Sequence, residues 1–327
     1  MELRQVSDLS NAILDEVEKA VVGKREALRL VLSGILAGGH VLMEDFPGLG
    51  KTLAARSFAQ TLGLDFRRAQ FTPDLLPGDL TGSFIFDQKA GEFEFRAGPL
   101  FAGLLLADEI NRTPPKTQAA LLEAMQEQQV TVEGRTFRLP EPFHVLATAN
   151  PVEYEGTYPL PEAQLDRFLM RVSFGYPTIN EEWQILSNRM ARQQEAQRLA
   201  PVVAAEQLLE MQRTIERTVV DESIGRYCVA LTGASRVHAD VLMGASPRGS
   251  LGLLLSARAY AVVDGRDYVT PEDVKAVARP VLAHRITVKP ELWMSNVSGT
   301  HVVDAILRTV PTPANLESHT PTTQPRY

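Results

Sequence analysis

The stretch Glu44-Asp45-Phe46-Pro47-Gly48-Leu49-Gly50-Lys51-Thr52 constrains this chain more than any other. It follows a short apolar run, Val41-Leu42-Met43, and opens a helical pattern. A glycine-rich turn between a strand and a helix exposes backbone N–H groups, and the helix dipole adds to their pull on an anion. Gly48 and Gly50 let the backbone curl around phosphates without Cβ clashes. Lys51 is placed to reach the β- and γ-phosphates of a nucleotide, and the Thr52 hydroxyl to ligate Mg²⁺. One position departs from the general pattern, whose usual first Gly is Asp45 here. The bland alternative is a Gly/Pro turn leading into an ordinary helix.

A second apolar run, Leu104-Leu105-Leu106-Ala107, ends in Asp108-Glu109. A buried strand ending this way sets two carboxylates at the carboxyl edge of a sheet, beside the phosphate loop. Asp108 is then the residue to hold Mg²⁺ through its water shell, and Glu109 the base that polarises an attacking water. A strand ending in two solvated acids is the simpler alternative, but it does not account for the loop upstream. A third run, Phe143–Ala147, leads to Asn150-Pro151. Asn150 either positions water and senses the γ-phosphate or only shapes the Asn-Pro turn. In Leu165-Asp166-Arg167-Phe168 the arginine either stabilises transition-state charge on a neighbouring subunit or forms a surface salt bridge.

At about 150 residues per domain, a chain of 327 residues predicts two. Through Pro177, continuous apolar runs of strand length suit strands buried on both faces, as in a parallel α/β sheet. Lys24–Ala37 reads as an amphipathic helix ended by Gly38-Gly39. Beyond Pro177 helical periods dominate. The division expected is a nucleotide-binding α/β domain at 1–176, a helical domain at 177–310, and a tail at 311–327. Asn180 is the expected cap of a helix from Glu181, and Asp221 of one burying Ile224, Cys228 and Leu231. Thr270-Pro271 marks a capped helix start, and so does Ser246-Pro247, where Arg248 follows and Leu251, Leu254, Leu255, Ala259 and Val262 form a stripe. Residues 83–95 and 129–139 alternate around Gly-containing turns and read as hairpins.

Composition excludes more than it suggests. The net charge of −7 argues against a nucleic-acid partner. One cysteine, Cys228, excludes a disulfide framework and a cysteine-based zinc site. No apolar run approaches the roughly 18 residues of a membrane span. The first residues lack the apolar core of a signal peptide, so the expected location is the cytoplasm. The six histidines are scattered, without metal-site spacing, and read as packing or surface residues.

From about Glu16 to Pro311 the chain resembles the AAA+ ATPases, and within them the MoxR family. The residues that carry the resemblance are Val21-Val22-Gly23-Lys24, Pro47–Thr52, the run Asp108-Glu109-Ile110-Asn111-Arg112-Thr113-Pro114-Pro115-Lys116, Asn150-Pro151, residues 161–168 and Ser246-Pro247-Arg248-Gly249. The family tends to carry Glu-Asp before its phosphate loop, so Asp45 fits it better than the general motif. The resemblance implies a parallel-sheet phosphate-loop domain followed by an all-helical lid, with ATP bound between them. It implies Val22 and Gly23 lining the adenine pocket along with Pro47, Gly48, Leu49 and Gly50 at the phosphates. Asn150 becomes the first sensor, Arg167 the trans-acting finger, and Arg248 the second sensor. It also implies Mg²⁺-dependent ATP hydrolysis, a homo-oligomeric ring (a hexamer), chaperone-like work on a protein client, and a von Willebrand factor A domain partner. A nucleic-acid motor of the same fold and a non-hydrolysing nucleotide-gated scaffold are the alternatives.

Overall fold

The computed structural model of the protein describes residues 1–89, 91–151, 157–194, 197–295 and 297–313. Its frame is a five-stranded sheet of β1 (Val41–Glu44), β2 (Phe66–Gln70), β3 (Leu104–Asp108), β4 (His144–Ala149) and β5 (Met170–Val172). The order is β2-β3-β4-β1-β5, and every neighbouring pair is parallel. The apolar runs of β1, β3 and β4 divide between two cores by the alternation of a pleated strand. Leu104 and Leu106 face one cluster, and Leu105 and Ala107 the other. Strands covered on both faces read as continuous apolar runs, which is why these three are visible in the sequence. Strands β2 and β5 are not. β2 exposes Arg67 and Arg68, and β5 has only 3 residues.

One core joins the halves of the chain. The cluster on the first face takes in Leu28, Val31 and Ile35 below the sheet, and Leu253, Ala257, Val274 and Val281 of the lid helices. The amino-terminal helix Leu3–Glu18 belongs to this junction: Asn11 donates from Nδ2 to the Val263 carbonyl at 3.1 Å. The lid is built of helices including Glu222–Val237, Pro247–Val263 and Pro271–Leu282. Their starts follow side-chain chemistry. Asp221, Ser246 and Thr270 each accept a first-turn backbone N–H, satisfying donors that have no partner within the helix.

Two local readings need correction. The helix expected from Glu181 begins at Ile179, and its cap is Thr178 rather than Asn180. Thr178 Oγ1 accepts from the Glu181 N–H at 3.3 Å while Glu181 returns a carboxylate to the Thr178 N–H at 2.7 Å. This reciprocal box satisfies two donors, where an Asn180 cap would satisfy one. On Pro247–Val263, Leu251 is exposed, and the fully buried side includes Leu253, Ala257 and Ala261. That helix is covered on most sides, so a single stripe does not describe it.

Both hairpins are present, as Gly82–Asp87 with Glu92–Ala97 and as Gln129–Val132 with Arg135–Arg138. They meet through aromatics: Phe95 stacks on Phe137 with centroids 4.0 Å apart, and Phe84 lies 6.2 Å from Phe137. Residues 314–327, most of the expected tail, fall outside the described residues.

His40, just before β1, and His144, the first residue of β4, are both buried. His40 accepts the Val145 N–H on Nδ1 and bonds the Met125 carbonyl through Nε2. His144 bonds the Gly39 carbonyl through Nδ1 and meets Gln212 Nε2 on its other nitrogen. Each ring thus uses one nitrogen as donor and one as acceptor, the neutral form. Burial pushes both down to about 4, and for His40 the neighbouring His144 adds to the shift. The unfolded imidazole titrates near 6.5. Between those values the unfolded chain takes up protons the folded chain cannot, so stability falls as pH drops from about 6.5 towards 4. Urea unfolding at stepped pH should show a loss of up to about 3 kcal/mol per ring across that window. His144→Gln should flatten the slope; an unchanged slope would assign it to other groups.

Candidate active site

Helix Lys51–Thr61 starts at Gly50, which has φ 85° and provides no side-chain cap. Gly48 has φ 81°. A Cβ at either position would meet no atom within 4 Å, so backbone conformation, not space, demands glycine there. The uncapped first turn and the loop before it present backbone donors to one place, as an anion site requires. That place is a cleft of about 430 Å³. Pro47, Gly48, Leu49, Gly50, Lys51 and Thr52 form one wall, and Arg68, Asp108, Glu109, Thr148 and Asn150 the other.

Asp45 takes a role that glycine could not. Its Oδ2 accepts from Ser173 Oγ at 2.8 Å and from the Phe174 and Gly175 N–H groups, each at 2.7 Å. Oδ1 accepts from the Phe46 N–H at 3.0 Å. One carboxylate therefore ties the phosphate loop to the segment leaving β5 for the lid. Burial pushes this carboxyl upward, but the Gly175, Ser173, Phe46 and Phe174 donors outweigh it and hold it below the usual carboxylate range. A depressed folded-state value gives stability that is full above the unfolded value of about 3.9 and is lost as pH falls through the folded one. Asp45→Asn should cost about 2 kcal/mol at pH 7, with the gap to wild type closing in acid. Urea denaturation at stepped pH checks this; a gap independent of pH would mean the charge is irrelevant to the tie.

Lys51 Nζ donates to the Phe46 carbonyl at 2.8 Å and to the Asp45 carbonyl. Burial pulls the ammonium down, while Asp45, Asp108, Glu109 and Glu44 partly restore it. Asp108 ends β3 with both oxygens engaged. Oδ1 accepts from Thr148 Oγ1 at 2.6 Å, and Oδ2 from Arg68 Nη2 at 2.6 Å. Glu109 adopts φ 58°, the left-handed region rarely occupied by a side-chain-bearing residue and one that marks functional turns. Its N–H donates to the same Thr148 hydroxyl at 2.8 Å. Its carboxylate accepts from Gln70 Nε2 at 2.7 Å and from Arg112 Nη1 at 3.0 Å.

Thr148, Arg68, Gln70 and Arg112 thus hold the two acids and were not singled out from the sequence. Arg112 lay within the resembling run, and the parallel pairing of Gln70 with Asp108 is the register that brings Gln70 and Arg68 alongside. An edge strand of polar residues carries no periodic signal that announces such a role.

Four sequence-expected residues lie elsewhere. Val22 and Gly23 do not line the cleft; their turn abuts Glu181, and Lys24 Nζ donates to the Tyr176 carbonyl at 2.9 Å. Arg167 and Arg248 line a different cavity, of about 310 Å³, with Asp166 and Arg285. The residues lining the cleft all belong to the α/β domain, and Arg248 is not among them. No group of three or more His, Cys, Asp or Glu side chains among the described residues builds a metal cage. The oxygen donors Thr52 and Asp108 on one cleft fit Mg²⁺, which is bound through one or two protein oxygens, waters and substrate phosphates.

Residues 40–170 match the profile of the ATPase family associated with various cellular activities (AAA), and residues 233–306 that of the AAA lid domain. The uncharacterized protein YeaC of Bacillus subtilis is 48% identical over 300 residues, 92% of this chain and 93% of its own. Chaperone MoxR1 of Mycobacterium tuberculosis is 43% identical over 318 residues, 94% of this chain and 83% of its own. Protein MoxR of Methylorubrum extorquens is 33% identical, covering 91% and 93%. The crystal structure of a Cytophaga hutchinsonii protein assigned as an ATPase superposes with a TM-score of 0.88 at 42% identity, covering 94% of this chain and 96% of that one.

Proposed function

We propose, starting from a chain that belongs to the MoxR family of AAA+ ATPases, that Mg²⁺-dependent ATP hydrolysis at this cleft drives remodelling of a protein client by a ring of subunits. The observation that carries the reading is the convergence of Lys51, Thr52, Asp108 and Glu109 on one cleft beneath an uncapped helix start. Lys51, held by two loop carbonyls, turns to the phosphate oxygens when they arrive and neutralises their growing charge. Glu109 accepts the proton of the attacking water, with Asn150 at the tip of β4 orienting that water. Thr148 aligns both acids at once, through Asp108 Oδ1 and the Glu109 N–H. Thr52 and Asp108 would hold the metal, with Asp108 fixed in place by Thr148 and Arg68. Mg²⁺ supplies charge neutralisation at the phosphates. By family resemblance, the adenine of the nucleotide would lie towards the Val22-Gly23 turn.

Arg167 completes a neighbour's cleft rather than its own; it lines a cavity apart from the cleft, and Arg248, the second sensor of the lid, lines that cavity too. Helix Ile179–Arg192 supports assembly: it buries no residue, and Ile179, Trp183, Leu186 and Met190 line one face at helical spacing, exposed by 87%, 61%, 54% and 60%. Its Glu181 abuts the Val22-Gly23 turn. By family resemblance the ring is hexameric, cytoplasmic, and works with a von Willebrand factor A domain partner. Among the described residues no helix is long and apolar enough to cross a membrane.

The test is light scattering of Glu109→Gln protein with Mg·ATP. A ring mass is expected, against 36.0 kDa for one chain. Trp183→Glu should return it to single chains with its fold intact. A chain that stays single under all conditions removes the ring.

A further inference from the structure

The turn that bears Arg167 is held from the lid. Arg285, just beyond helix Pro271–Leu282, has a side chain only 4% exposed. A guanidinium carries five N–H donors, and here all five are used. Nε donates to Asp166 Oδ1 at 2.7 Å. Nη2 donates to the Phe168 carbonyl at 2.7 Å and the Asp166 carbonyl at 3.3 Å. Nη1 donates to the Leu169 carbonyl at 3.1 Å and to the Val281 carbonyl in the last turn of that helix. Four of the five acceptors lie on residues 166–169. The neighbouring His284 adds a bond from Nε2 to the Phe168 carbonyl at 3.1 Å. On its other oxygen, Asp166 accepts from Ser246, the cap of helix Pro247–Val263, at 3.2 Å, and lies 3.9 Å from Arg248 Nη1.

A buried ion pair is weak as a source of stability, because desolvation offsets most of its attraction. A full set of directional bonds does fix geometry. We infer that Arg285 is a positioning residue: it locks the Arg167 turn to the lid, so that Arg167 reaches a neighbouring subunit's nucleotide in a geometry set by the lid. Any swing of the lid is then transmitted to the finger. This rests on the reading of Arg167 as acting in trans.

The experiment mixes subunits. Lys51→Ala chains lack a working phosphate loop but keep an intact finger; Arg285→Lys chains have the reverse. Lysine keeps the charge and loses the five-bond fork. Rings of Arg285→Lys alone should turn over about 10²-fold more slowly, with ring mass and the KM for ATP near wild type. Mixing them one to one with Lys51→Ala should restore turnover, because intact clefts then meet intact fingers. Asp166→Asn, which keeps the shape and loses the charge, should behave alike. If Arg167→Ala complements Lys51→Ala but neither Arg285→Lys nor Asp166→Asn does, the positioning role is overturned and Arg285 only supports the fold. If Arg285→Lys alone turns over like wild type, it is overturned as well. If Arg167→Ala itself fails to complement, the trans reading falls and this inference with it.

Discussion

Glu109→Gln will lower kcat by about 10²- to 10⁴-fold while nucleotide still binds. Glutamine keeps the volume and one acceptor oxygen, so the bonds from Gln70 and Arg112 have a partner left. The backbone at φ 58° is set by the turn and by the Thr148 bond to the Glu109 N–H, neither of which the change touches. What disappears is the basicity that removes a proton from water. Phosphate release measures the loss, and binding of a fluorescent ATP analogue confirms that the cleft is intact. Turnover within tenfold of wild type would mean that another group activates the water. The same variant, which binds without turning over, is the trap for identifying the client by pull-down.

Arg167→Ala will lower turnover by about 10³-fold or more in the assembled ring, the loss typical of an arginine that meets a neighbour's transferring phosphoryl group. Within one chain this arginine lines a cavity apart from the cleft, so a free chain should not depend on it. Mixed with Lys51→Ala subunits, Arg167→Ala subunits should regain activity, since each kind supplies what the other lacks. Strictly additive activity on mixing would show that every site is made by one chain.

The sequence made the strands covered on both faces legible, because β1, β3 and β4 had to be apolar throughout. It also made the acids and lysine at their tips legible, since those residue types at a strand end have few alternative uses. Helix starts were legible wherever the capping chemistry lay within three residues, as at Asp221, Ser246 and Thr270. Thr178 was not legible in this way: Asn180 was the expected cap, and the reciprocal bond with Glu181 places the cap at Thr178 instead.

What the sequence alone determined is the local chemistry. A glycine turn between strand and helix can only be a loop with bare N–H groups, and its neighbours Lys51 and Thr52 share that end of the helix wherever the rest of the chain goes. What only the tertiary structure decided is everything that depends on two distant segments meeting. The parallel register of β2 on β3 brings Arg68 and Gln70 to the acids. The fold of the chain after β5 brings Ser173–Gly175 to Asp45. The packing of the lid puts Arg248 and Arg285 at the Arg167 turn and away from the phosphate loop. Those contacts join residues tens to more than a hundred positions apart, and no periodicity along a chain encodes which of its polar side chains will be carried into reach of one another.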